Sequence, residues 1–144
     1  MKEFRMNKTL LALTAALAMG AANAKPVYTG PDYSGVYACT GNDAHEGPYT
    51  GTVTIERVLT QSEGNYGAYR FKLEVPGYGV YLGEAAAQGR TMAIHFAHTD
   101  PATKDYGTGI AAFTKINGKW TFHKYYYEPE FKGGNYGEED CIQQ

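Results

Sequence analysis

Apolar and polar residues alternate one by one along most of the chain, which is the pattern of a half-buried β-strand. The clearest run extends from Tyr49 to Thr60, where Val53 and Ile55 share one face and threonines occupy the other. A glycine-containing turn at residues 61–65 separates this run from a second one at residues 68–75. The two runs together predict a hairpin.

The same pattern predicts six further strands, so that the chain has about eight. They lie at Val36–Thr40, Val80–Ala85, Met92–Phe96, Tyr106–Ile116, Trp120–Tyr127 and Tyr136–Cys141. Turns are predicted at residues 76–79 and 86–90, and at Asn117-Gly118, a dipeptide suited to the positive φ angles of a type I′ hairpin. A two-residue turn there would pair Gly109 with Tyr126 and place a ring over a glycine. No segment has a convincing helical period, and the predicted fold class is all-β.

Two cysteines link the ends of this predicted meander. Cys39 lies in the first strand and Cys141 in the last, and we predict a structural disulfide because catalytic dithiols usually lie close together in sequence. A meander joined at its ends leaves no edge unpaired if the sheet closes on itself. We therefore expect an up-and-down β-barrel. The alternative is a two-sheet β-sandwich, in which a disulfide can also join distant strands.

The amino terminus has the features of a cleavable export signal. Three basic residues within the first eight precede an apolar stretch at residues 10–18, and Ala-Asn-Ala at residues 22–24 matches a signal-peptidase site. We expect residues 1–24 to be removed and residues 25–144 to form one all-β domain. Lys25 follows the predicted cut where a lipoprotein would have a cysteine, so no membrane anchor is expected. The protein should be periplasmic or secreted, in a bacterium.

Charge and motifs restrict the chemistry further. The chain carries 13 basic and 15 acidic residues, which argues against a nucleic-acid partner. His95, His98 and Asp100 lie close in sequence, but a strand would place the two histidines on opposite faces. A similar cluster in the first long loop consists of Asp43, His45 and Glu46. We expect no metal and no cofactor. An enzyme that uses His95, His98 and Asp100 is the least favoured of three functional hypotheses.

Tyrosine content is the feature that folding alone explains least, although tyrosine is also a good strand former. The chain has 13 tyrosines, and their rings offer rigid contact area for recognition. The candidate ligand-binding residues are Tyr66, Arg70, His123, Tyr125 and Tyr127, which the alternation places on the outer face. We expect a non-catalytic exported protein that binds a small apolar or aromatic ligand at one end of the barrel. The alternative is an inhibitor that binds a secreted or periplasmic enzyme through its exterior.

Overall fold

A computed structural model describes residues 24–144, so the predicted signal peptide lies outside the described residues except for Ala24. Eight strands follow one another along the chain. They are β1 (Gly35–Asp43), β2 (Gly47–Arg57), β3 (Tyr66–Val75), β4 (Gly79–Gln88), β5 (Thr91–His98), β6 (Tyr106–Ile116), β7 (Lys119–Glu128) and β8 (Asn135–Gln143). Three single-turn 3₁₀ segments lie in the connections, at Leu59–Gln61, Pro101–Thr103 and Phe131–Gly133.

Each strand pairs antiparallel with the next, and β8 pairs with β1 to close the barrel. The all-β class and the closed up-and-down barrel are therefore confirmed, and the two-sheet sandwich is not adopted. The Asn117-Gly118 turn pairs Ile116 with Lys119 and Gly109 with Tyr126, as its two-residue length predicts.

Three predicted strand ends were wrong by three residues. The strand predicted to end at Thr40 continues as β1 to Asp43, which pairs with Gly47 of β2 and Gly137 of β8. Residues 86–90 were expected to turn, but β4 continues to Gln88 because Ala85 and Ala87 face the core while Ala86 pairs with Ala93 of β5. The turn is confined to Gly89 and Arg90, where Gly89 has a φ of 58° that a glycine adopts without steric cost. The strand predicted to reach Thr60 ends at Arg57, and a 3₁₀ turn follows.

Inward-facing glycines make room for rings inside the barrel. The Tyr126 ring lies over Gly137 of β8, and the Tyr49 ring lies over Gly41 of β1, so any side chain at either glycine would overlap a ring. The sequence predicted that the Tyr126 ring would lie over Gly109. In the structure the methylene groups of Lys124 lie over Gly109 instead. The barrel interior is thus a packed aromatic core with one long cationic side chain running through it.

The segment preceding β1 closes one end of the barrel. Tyr33 is fully buried, its ring centroid lies 4.1 Å from that of Phe113 and 4.8 Å from that of Trp120, and its hydroxyl donates to the Gly89 carbonyl at 2.6 Å. Tyr69 donates to the Pro31 carbonyl at 3.0 Å and holds the same segment in place. Access to the interior is therefore at the opposite end.

The predicted disulfide is confirmed. Cys39 and Cys141 are direct cross-strand partners on β1 and β8, both buried inside the barrel, and their sulfurs are bonded. A disulfide is typical of proteins that reach an oxidising compartment. No helical segment among residues 24–144 is long and apolar enough to span a bilayer.

Candidate functional site

A small chamber occupies the open end of the barrel, below the loops β1–β2, β3–β4, β5–β6 and β7–β8. It leaves about 50 Å³ for the centres of water-sized molecules, and one buried water needs about 10–15 Å³ on that measure. The chamber thus has room for a few waters or for the head of a small ligand. The lining combines four carboxyl groups with aromatic rings, namely Asp43, Glu46, Asp105 and Glu128 with Tyr49, Tyr78, Tyr81, Phe96, Tyr126 and Phe131.

Lys124 lies at the floor of the chamber, paired with Glu139. They are direct partners on β7 and β8, their side chains are 1% and 0% exposed, and the ammonium lies 2.5 Å from Oε2 of Glu139. The hydroxyl of Tyr49 donates to the other carboxylate oxygen at 3.2 Å. The ammonium also lies 5.2–5.6 Å from the ring centroids of Phe71, Phe96 and Tyr126, where cation–π attraction stabilises it. The floor therefore carries a positive charge that the protein already compensates.

Asp43 is an ionised carboxylate at the end of β1. Its Oδ1 accepts from the backbone amides of His45 and Glu46 at 2.8 and 2.9 Å, which forms the β1–β2 turn. Its Oδ2 accepts from the Tyr126 hydroxyl at 2.9 Å and from Nδ2 of Asn135 at 2.7 Å. Burial by itself would raise the pKa of Asp43, but these four hydrogen bonds outweigh it and lower the pKa.

Glu128, the last residue of β7, has the opposite behaviour. Burial above all, and then a hydrogen bond with Asp105 and the negative charges of Asp105 and Asp43, raise the pKa of Glu128 to about 8. Glu128 is therefore protonated at neutral pH and donates to Asp105, which also accepts from the Tyr81 hydroxyl at 2.7 Å. Asn135 links Glu128 to Asp43, because its Nδ2 donates to both carboxyl groups.

The chamber holds more hydrogen-bond acceptors than donors. Oδ1 of Asp105 and Oδ1 of Asn135 are buried, and apart from the Glu128 carboxyl no N–H or hydroxyl group of residues 24–144 donates to either oxygen. Both residues are more than nine-tenths buried. Burial raises the pKa of Tyr81 and Tyr126, so their hydroxyls remain protonated and are committed to the carboxylates already named. A buried acceptor on the chamber lining without an N–H or hydroxyl partner, beside carboxylates, matches a ligand with several N–H donors and a positive charge.

The rim of the chamber is held by contacts that can open. Glu46 of the β1–β2 loop accepts from the Tyr78 hydroxyl at 3.4 Å and from the Lys132 ammonium. These contacts join three loops above the chamber. Lys132 is about half exposed, and exposed ion pairs contribute only about 0–1 kcal/mol. A ligand can therefore displace these contacts at little cost.

The five predicted ligand-binding residues lie on the outer wall, away from the chamber. Tyr66 and Arg70 are on β3, whereas His123, Tyr125 and Tyr127 are on β7. Four strand steps separate β3 from β7 in either direction around the barrel. The structure therefore places the two groups on opposite sides and does not bring them together. On the β3 side, Arg70 forms an ion pair with Glu56 at 3.6 Å. Both residues line a depression in the outer wall, which Glu84 also borders.

The two histidine clusters do not converge on one point. His95 faces outward beside Glu84, while His98 packs its ring against the edge of Tyr81 and accepts from the Asp100 amide. Asp100 caps a 3₁₀ turn through Ala102, and in the other cluster the Asp43 side chain forms the turn. Among residues 24–144, the potential ligand atoms that do converge belong to Cys39, Glu139 and Cys141, and two of these form the disulfide.

The sequence did not identify Lys124, Asp105, Glu128 and Asn135 as members of one site. The strand period did place Lys124 on the same face as Phe122 and Tyr126, and a lysine on a core face is the one signal that could have indicated a polar interior. The other three residues lie at strand ends or in a loop, where acidic and amide side chains are ordinary.

Comparison with known proteins found no match, whether among family models, curated proteins or solved structures.

Proposed function

We propose that the protein binds a small organic cation with a primary ammonium group in the chamber at the open end of the barrel. The observation that carries this function is Oδ1 of Asp105, a buried acceptor on the chamber lining that has no N–H or hydroxyl partner, in a chamber that the ionised Asp43 also lines. An ammonium group has three N–H donors and no acceptor, so it supplies what this oxygen requires.

Other ligand classes fit the chamber less well. A small anion would meet the charges of Asp43 and Asp105, and the floor ammonium is already paired with Glu139. A purely apolar ligand would shield the acceptors from water without pairing them, which costs about 1–3 kcal/mol for each one. The walls contributed by Phe96, Tyr81 and Phe131 still favour an apolar tail. The proposal thus keeps a ligand at one end of the barrel, as the sequence suggested, but it uses rings other than the predicted ones and gives the ligand a charged head.

Binding would change the protonation of Glu128. A cation beside this residue favours its ionised form, so the ligand displaces the proton that Glu128 shares with Asp105. The ammonium then replaces the proton as the donor to both carboxylates. The three N–H groups are oriented by fixed acceptors, whereas the alkyl tail extends toward the rim at Tyr78 and Phe131.

Isothermal titration calorimetry tests this function with a defined panel of ethylamine, 1,4-diaminobutane, 1-propanol and propionate. We expect an amine to bind and the alcohol and the carboxylate to bind at least tenfold more weakly. Asp105→Asn should weaken amine binding at least tenfold, about 1.4 kcal/mol. Glu84→Gln is the matched control, because it removes a carboxylate that is exposed on the outer wall. Equal binding of 1-propanol, or an Asp105→Asn variant that binds as tightly as the Glu84→Gln control, would contradict the proposal.

We propose that this binding occurs after export, in the periplasm or outside the cell. The buried disulfide supports an oxidising compartment, and the leader-like residues 1–24 support export. Protein purified from the exported fraction should begin at Lys25. A mature protein that retains residues 1–24 would contradict this part of the proposal. No catalytic role is proposed for His95, His98 and Asp100, since these residues face different directions.

A further inference from the structure

The outer wall of the barrel carries charges of both signs on one side, whereas the other side has acidic residues but no lysine or arginine. The β2–β4 side and its edge carry cross-strand or same-face pairs of opposite charge, which are Glu56–Arg70, Lys72–Glu74 and Glu84–His95. The far side consists of the outward positions of β6, β7, β8 and β1. These positions contain no lysine or arginine within residues 108–114 of β6, 121–127 of β7, 136–142 of β8 and 36–42 of β1. The absence of lysine is typical of the core of a protein interface.

A cluster of exposed rings lies at the centre of this far side. Ile110 of β6 is the direct partner of Tyr125 of β7, and Tyr127 is the direct partner of Tyr136 of β8. The rings of Tyr125 and Tyr136 lie 6.5 Å apart between centroids. All four side chains are exposed, by 46–58%. We call these four residues, Ile110, Tyr125, Tyr127 and Tyr136, the tyrosine wall.

The charges beside the tyrosine wall are acidic and poorly compensated. Glu138 is the direct partner of Tyr125 and forms no ion pair with any of residues 24–144. Asp140 contacts His123 at 2.8 Å, and that partner is charged only when it is protonated. The tyrosine wall therefore has a negative edge, unlike the paired rows on the opposite side.

We propose that the tyrosine wall is the docking surface for a partner protein that presents arginine or lysine beside apolar side chains. The tyrosine rings offer flat faces for a guanidinium group, and Glu138 supplies an unpaired carboxylate for it. Tyrosine is also enriched in interface cores because its large ring loses little rotamer entropy when it is buried. This surface is separate from the chamber, and docking requires no amine ligand.

A second copy of the same chain is a poorer occupant. A symmetric dimer through the tyrosine wall would bring Glu138 and Asp140 of one copy close to the same acidic residues of the other. Like charges placed together across an interface oppose association. Charge complementarity therefore favours a basic partner over self-association.

Panning a library of short random peptides displayed on phage tests the proposal with the folded mature protein as bait. We expect the selected peptides to be rich in arginine or lysine next to aromatic or aliphatic residues, and to bind more weakly at high salt. Synthetic versions should lose at least tenfold in affinity for the double variant Tyr125→Ser/Tyr136→Ser, and severalfold for Glu138→Gln. The matched control is Tyr66→Ser, which removes an equally exposed ring from β3 on the opposite side.

The outcomes separate the possible occupants. Affinity lost equally in the Tyr66→Ser control, peptides without basic residues, or no selected peptide would overturn the proposal. Sedimentation velocity that shows a dimer of the unmodified protein, abolished by Tyr125→Ser/Tyr136→Ser, would assign the tyrosine wall to self-association and also overturn it. Circular dichroism and the Tm of each variant confirm that a lost interaction is not a lost fold.

Discussion

At the scale of single residues, Asp43 and Glu128 show how neighbours set the state of a buried carboxyl group. Asn135 donates to both, yet the two pKa values shift in opposite directions. Asp43 gains two backbone amides that favour its charged form, whereas Glu128 faces the charge of Asp105 and has no such amides. Asp43 thus provides a fixed negative charge in the chamber, and Glu128 carries a proton that the proposed cation would displace.

Replacement of Glu128 by glutamine tests the raised pKa through stability. In the folded state Glu128 keeps a proton up to about pH 8, whereas the unfolded chain loses it near the ordinary glutamate value. The unfolded state therefore binds fewer protons between these values, and Glu128 contributes less stability as pH rises through this window, by about 1.4 kcal/mol per pH unit at most. Urea unfolding should show that Glu128→Gln is close to wild type near pH 5 and more stable by at least about 1 kcal/mol near pH 9. An equal difference at both pH values would contradict the raised pKa.

At the scale of elements, polar contacts inside the barrel join neighbouring strands where a hydrophobic core would be expected. The Lys124–Glu139 pair joins β7 to β8, and the adjacent disulfide joins β8 to β1. Both lie on inward positions of strands whose other inward residues are mostly aromatic or glycine. Closure of the sheet therefore depends on two specific cross-strand pairs as well as on apolar packing.

The buried ion pair should behave as a unit. Lys124→Met leaves the Glu139 charge buried without its partner and should lower the free energy of unfolding by about 3–5 kcal/mol. The double variant Lys124→Met/Glu139→Gln removes both charges, keeps an acceptor for Tyr49, and should be markedly more stable than Lys124→Met alone. Urea unfolding near pH 7 measures all three free energies of unfolding. If the double variant is less stable than Lys124→Met, the charge on Glu139 is not the cause of the loss.

The disulfide should be a major contribution to the same closure. Its sequence separation is 102 residues, and the chain-entropy model assigns about 4.7 kcal/mol to a loop of that order. Cys39→Ala/Cys141→Ala should therefore unfold at a much lower urea concentration than the oxidised wild type. A reducing agent should destabilise the wild type and leave the variant unchanged. Two titratable thiols in the denatured, unreduced wild type would disprove the disulfide.

At the scale of the whole molecule, the two ends of the barrel have different roles. Tyr33 and the segment around it fill one end with packed rings, while the other end keeps a polar chamber below four loops. Stability and binding are therefore separated along the barrel axis. Substitutions at the closed end should affect unfolding with little effect on the chamber.

Tyr33 tests this separation of roles. Tyr33→Ala opens a cavity between Phe113 and Trp120 and should cost about 3–5 kcal/mol, whereas Tyr33→Phe loses only the hydrogen bond to Gly89 and should cost about 1 kcal/mol. Chemical unfolding gives both values, and calorimetry with the amine panel gives the binding constants. Amine affinity that falls in Tyr33→Phe along with stability would show that the two ends are coupled.

Much of the architecture could be predicted from local signals in the sequence. The alternation around Val53 and Ile55 and the Asn117-Gly118 turn depend on interactions between sequence neighbours. The two cysteines predicted closure because they lie in the first and the last strand. The chamber could not be predicted in the same way. Asp43, Asp105 and Glu128 come from three separate strand ends or loops and meet only when β8 closes against β1. The candidate residues on β3 and β7 share an outward direction, but the barrel's curvature, which alternation does not encode, places them on opposite sides.

The most direct test of the cation-binding chamber follows the carboxyl carbon of Glu128 by ¹³C NMR during a pH titration, with and without 1,4-diaminobutane. Without the amine, Glu128 should titrate near pH 8. With saturating amine, its midpoint should fall, because the bound ammonium favours the ionised carboxylate, while the carboxyl resonance of the exposed Glu84 should not respond to the amine. A Glu128 midpoint that is unchanged by the amine, or an equal response of the Glu84 resonance to the amine, would contradict a cation-binding chamber.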